Sequence, residues 1–63
     1  MSRSHSVKGD QFGTGGKTIR EATLTFMRVG SRAFVYVETG SRTVNISLDA
    51  DELSEAIQTA MQQ

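Results

Sequence analysis

From residue 23 to residue 48, apolar and polar side chains alternate with a period of two. Leu24 and Phe26, then Ala33, Val35 and Val37, then Val44, Ile46 and Leu48 each keep a single parity within their own run. Such alternation marks half-buried strands rather than helix. It is broken twice, ten residues apart, by Gly30-Ser31-Arg32 and Gly40-Ser41-Arg42. A Gly-Ser pair suits a two-residue hairpin loop, because glycine takes the positive φ that a type II′ turn needs at its first central position. Three strands are therefore predicted, over about 18–29, 32–39 and 42–48, with no proline to interrupt their ladders.

After residue 48 the period changes from two to between three and four. Leu53, Ala56, Ile57, Ala60 and Met61 form one apolar helical stripe. Asp49 is a natural N-cap, Glu52 stands three positions on as in a capping box, and Leu48 and Leu53 occupy the positions of a hydrophobic staple. The fold class expected is α+β: a three-stranded antiparallel β-meander, order 1-2-3, with one C-terminal helix packed on one face.

Two-residue turns also dictate register. Val29 then pairs with Arg32, Phe26 with Val35, Val37 with Val44, and Val35 with Ile46. Opposed residues share a face, so one side of the sheet reads Leu24/Val37/Val44, Phe26/Val35/Ile46 and Arg28/Ala33/Leu48. A one-residue slip in either hairpin destroys this agreement between turn chemistry and pattern. The helix stripe is expected to cover that side. The other side reads Val29/Arg32, Met27/Phe34/Ser47, Thr25/Tyr36/Asn45 and Thr23/Glu38/Thr43, and a single helix cannot cover both.

Residues 1–17 carry glycine at 9, 13, 15 and 16 and only Val7 and Phe12 as sizeable apolar groups. So little apolar surface cannot offset the entropy of ordering, and the segment is expected to be a flexible arm. The folded domain is then 18–63. At 63 residues the chain is small enough to want a supplement to its core. It has no cysteine, which removes disulfides and thiolate zinc sites, and His5 has no neighbouring ligands. Oligomerisation is the supplement that remains. No metal and no cofactor are expected. No apolar run reaches membrane-spanning length and Met1-Ser2-Arg3-Ser4-His5 leads into no signal-peptide core, so the expected compartment is the cytoplasm. Asn45-Ile46-Ser47 has the form of a glycosylation sequon but reads as ordinary strand in that setting.

Formal charge is zero yet unevenly spread. Residues 1–42 hold all seven basic groups against three acids, while 43–63 hold Asp49, Asp51, Glu52 and Glu55 and no base. The acids lie where a helix dipole favours them. They line a helix start rather than converge, and no histidine or serine is placed for nucleophilic catalysis, so no enzyme is expected. Gly16-Lys17-Thr18 ends like a phosphate-binding loop, but Gln11 stands where the first glycine belongs and a strand follows instead of a helix. Gly13-Thr14-Gly15-Gly16 reads as a hinge. Arg28, the one charged member of the three apolar rows, is expected to reach Asp51 or Glu52.

The free side carries the functional expectation. Thr25, Met27, Val29, Arg32, Phe34, Tyr36 and Asn45 make a contiguous aromatic and hydroxyl-bearing surface, and exposed apolar groups on so small a domain mark a contact site. The reading is a small non-enzymatic protein-binding module, a homodimer or other homo-oligomer. It would act through this face or an edge strand, as bacterial or phage accessory and inhibitory proteins do. The alternative is a single-stranded nucleic-acid binder: Phe34 and Tyr36 stack bases while Arg32 and the arm's Arg3, Lys8 and Lys17 meet phosphates. Parity disfavours it, since Arg20, Arg28 and Arg42 fall on the apolar side.

Val44-Asn45-Ile46-Ser47-Leu48 leading into Asp49-Ala50-Asp51-Glu52-Leu53 coarsely resembles the single-strand-binding transcriptional coactivators, an antiparallel sheet followed by a dimerising helix. The likeness spans a third of the chain. The dense basic strand residues of that family are missing and the predicted sheet has one strand fewer, so no residue role is carried over.

Overall fold

In the computed structural model, which describes residues 3–62, the chain is one four-stranded antiparallel sheet followed by a helix. The strands are β1 (Ser4–Phe12), β2 (Thr18–Val29), β3 (Arg32–Thr39) and β4 (Arg42–Asp49), in the order β1-β2-β3-β4, and α1 is Ala50–Met61. The α+β meander with its C-terminal helix is as expected; the number of strands is four, not three.

Every pairing anticipated from the two Gly-Ser turns is present. Phe26 lies opposite Val35, Val35 opposite Ile46, and Val37 opposite Val44. Gly30 and Gly40 sit at φ 61° and 59°, while no residue other than glycine takes a positive φ. Positive φ at the first central position with an ordinary serine at the second is the type II′ pattern.

The extra strand comes from the segment read as a flexible arm; Met1 and Ser2 of that arm lie outside the described residues. Ser4 to Gln11 pair in regular register with Met27 to Arg20. What orders them is the glycine cluster. Gly15 and Gly16 take φ of 81° and 77° in succession, a geometry cheap only for glycine. The loop is closed by Gly13 N–H donating to the Lys17 carbonyl (2.8 Å) and Gly16 N–H to the Gly13 carbonyl (3.0 Å). Gly13-Thr14-Gly15-Gly16 is thus a hairpin turn, not a hinge. A register shift between Gln11 and Phe12 follows from it, placing Phe12 opposite Thr18. A weakly apolar strand orders here because its backbone joins an existing edge, a contribution that composition does not report.

The helix begins where the capping pattern put it. The Asp49 carboxylate accepts the Glu52 backbone N–H at 2.9 Å. The Ala50 N–H donates to the Ser31 carbonyl at 2.9 Å, tying the helix start to the β2–β3 turn. Arg28 reaches Asp51 (Nη2–Oδ1 3.6 Å), as expected, and donates through Nε to the Gly30 carbonyl. That pair is well exposed and adds little stability.

Coverage of the apolar side departs from expectation. Only Ala50 of the helix is buried, with Leu53 half-buried, and α1 touches chiefly β3 and β4. It lies over the Arg28/Ala33/Leu48 end of the sheet and leaves the next rows open. The described core is Ala22, Ala33, Val35 and Ala50, with no side chain fully enclosed.

Two measurements test this architecture. Alternate backbone amides of β1 are expected to show hydrogen-exchange protection comparable with β4; intrinsic exchange rates across residues 4–11 would restore the flexible arm. Val35 is 8% exposed between Phe26 and Ile46. Val35→Asp buries an unpaired carboxylate at several kcal/mol, comparable with the roughly 5 kcal/mol total of a small domain, and is expected to abolish the folded circular-dichroism spectrum. Thr25→Asp on the opposite face, beside the Ser6 hydroxyl, should retain it.

Candidate interaction surfaces

Strand parity sends the side chains of Thr25, Met27, Phe34, Tyr36 and Asn45 to the face away from the helix. The four-stranded sheet adds Ser4 opposite Met27, Ser6 opposite Thr25 and Lys8 opposite Thr23. This face is partly self-satisfied. The Ser6 and Thr25 hydroxyls are 2.9 Å apart, and Arg32 donates through Nη2 to the Ser47 hydroxyl at 3.1 Å. Neighbouring strands half-bury Met27, Phe34 and Tyr36, while Val29, Arg32 and Asn45 are exposed. The expected interface set is therefore one contiguous surface, with its aromatics at the centre of the sheet and Val29 and Arg32 at the turn end.

The cations of the nucleic-acid reading are not brought together. Lys8 joins the aromatic face, where its Nζ lies 4.0 Å from Glu21. Arg3 instead lines the cleft between helix and sheet. Lys17 precedes β2 while Arg32 lies opposite its last residue, separating them by roughly 35 Å at about 3.3 Å per residue. Asp10, Glu21 and Glu38 share the face, so its formal charge is slightly negative.

A second surface, which the residue pattern does not signal, lies on the helix side. Val7, Val44 and Ile46 there are 51%, 54% and 48% exposed, and Ile57 of the helix 43%. Val7 lies opposite Leu24, which completes the row Val7/Leu24/Val37/Val44; the next row is His5/Phe26/Val35/Ile46. Seven of these eight side chains are apolar. Between this surface and α1 runs an open cleft of about 360 Å³, bounded by Phe26, Arg28, Ala33, Leu53 and Ile57. Its lining is largely apolar, with Arg3 and Arg28 contributing the charged groups. The missing signal was one of contact: the stripe has the right chemistry to cover the face, but beyond Leu53 it stays exposed, Ile57 at 43% and Met61 at 78%.

The two edges differ as well. β1 carries His5, Lys8 and Asp10 and ends in an irregularity, features that discourage strand addition. β4 runs from Thr43 to Leu48 without a charge, a proline or a register shift. Among the described residues no cluster of three or more His, Asp and Glu is placed to hold a metal ion, and no helix is long and apolar enough to cross a membrane. Comparison with protein families, with curated proteins and with solved structures finds no match for this chain.

Proposed function

We propose that this chain is a small non-enzymatic binding module that works as a homo-oligomer and engages a protein partner through its sheet surface. The observation that carries the reading is the amount of surface left open. A globular monomer of 6.9 kDa exposes about 4,000 Å²; this chain exposes 5,294 Å². Its radius of gyration is 13.1 Å, against about 11 Å for a compact chain of this length. Val7, Val44, Ile46 and Ile57 are each more than two-fifths exposed. A chain that cannot enclose its own aliphatic groups is stabilised by a second subunit, and Phe34, Tyr36 and Met27 are the side-chain types that anchor protein contacts.

One observation favours a second reading, single-stranded nucleic-acid binding. β1 brings Lys8 onto the aromatic face and raises the sheet to four strands, removing one departure from the coactivator plan. The acids beside Lys8 and the dispersal of Arg3 and Lys17 weigh against it.

Analytical ultracentrifugation at micromolar concentration should give about twice the chain mass, and a strictly monomeric species at high concentration would overturn the oligomeric reading. The same preparation is expected not to shift short single-stranded DNA or RNA at physiological salt. A shift that weakens steeply with salt and vanishes in the double change Phe34→Ser, Tyr36→Ser would establish the second reading instead.

A further inference from the structure

We propose that the second copy packs face to face on the helix side of the sheet, over Val7, Val44 and Ile46, and that the aromatic face stays outward on both subunits. This rests on the homo-oligomeric reading above and assigns its surface. The surplus area of about 1,300 Å² per chain exceeds the roughly 800 Å² per partner of a standard interface and falls in the range of obligate homodimers. The chain is a slab, 36 × 32 × 15 Å; its helix-side face carries exposed aliphatic groups in adjacent rows, while Ile19 and Val29, of the other parity, stand apart at the two ends of β2.

The position of the helix restricts the symmetry. A helix with its side chains is about 10 Å across, and stacked sheets lie about 10 Å apart, so helix and partner sheet can share one layer. They can do so only if the two helices lie at opposite ends. A two-fold axis across the strands achieves this; an axis along the strands would bring both helices to the same end and hold the sheets apart.

That arrangement is also electrostatically self-complementary. Asp51, Glu52 and Glu55 sit at the helix end of each subunit. Arg20 and Arg42 have the parity of the apolar face and sit at its other end, Arg42 opposite Thr39 and Arg20 opposite Gln11. The two-fold brings the acidic end of one copy to the arginine end of the other. The row at that end runs Gly9/Ala22/Thr39/Arg42, so Arg42 stands beside the short Thr39 side chain on the β3–β4 side, where the partner's helix would arrive. The separation of basic and acidic residues along the chain thereby acquires a role in assembly beyond helix capping.

The test compares one substitution on each face. Val44→Lys places a charge in the dry contact and should raise the dimer dissociation constant at least about a hundredfold, leaving monomer in the ultracentrifuge. Tyr36→Lys should leave the dimer intact. A dimer abolished by Tyr36→Lys but not by Val44→Lys overturns this placement while the homo-oligomeric reading survives; a monomeric wild type removes both. Should Val44→Lys fail to fold, isotope-filtered NOE spectra of mixed labelled and unlabelled wild-type protein decide. Intermolecular contacts among the methyl groups of Val7, Val44, Ile46 and Ile57 support the proposal. Contacts confined to Phe34 and Tyr36, or to the β4 backbone at Asn45 and Ser47, overturn it.

Discussion

A 12-residue helix has to roof four strands of eight to twelve residues. At 1.5 Å per residue it is about 18 Å long and about 10 Å wide. The outer strands lie roughly 14 Å apart, and eight residues extend about 26 Å. The length of the helix is little used: Leu53 is half-buried, Ile57 and Met61 are exposed, and its contacts fall chiefly on β3 and β4. Attachment at one end therefore sets the rest of the structure. The helix is pinned at one end by the Asp49 cap and the Ala50–Ser31 backbone bond, and the rows beyond it stay open. Most of the few buried residues are alanines because the only places where backbone comes close to backbone are where the helix starts and within the sheet itself.

Rigidity in this molecule comes from backbone pairing more than from side-chain packing. Two glycines at positive φ hold the β2–β3–β4 register, and two more close β1 onto β2. Each turn fixes which side chains share a face without any contribution from a core. That is why one sheet can carry two surfaces of different chemistry on its opposite sides: aliphatic beside the helix, aromatic and hydroxyl-bearing on the other. A slip of one residue at Gly30 or Gly40 would mix them.

The central meander was legible to the residue, because a two-residue loop and a period-two pattern each specify parity and here agree. The helix start was legible through Asp49, Glu52 and the Leu48/Leu53 pair. The first strand was not, and the reason is physical. Composition measures what side chains can bury, and residues 4–12 bury little; it does not measure hydrogen bonds offered by the open edge of β2. Glycines at 13, 15 and 16 suggest freedom by composition, whereas the positive φ of Gly15 and Gly16 and the hydrogen bonds of Gly13 act as constraint. Thr25, Met27, Phe34, Tyr36 and Asn45 were correctly gathered on one face by parity. The open rows of the other face were invisible, since an apolar stripe on the helix says which surface it prefers, not how much of it one helix can cover.

The division between the faces bears on what kind of partner each accepts. A largely aliphatic surface, with His5 the one polar member of its two central rows, gains chiefly from apolar contact, and its selectivity must come from shape and from the charges at its ends. Here those ends are opposite in sign on the same subunit, a pattern complementary to itself under a two-fold. The aromatic face offers hydroxyls, Asn45 and Arg32, groups that reward a partner only when their hydrogen bonds are matched. Part of that capacity is already taken up by Ser6 with Thr25 and Arg32 with Ser47. A partner there must offer better bonds than these pairs offer each other, so the face discriminates by chemistry where the other accepts by area. In the proposed dimer the aromatic face would be presented twice, on opposite sides of one particle.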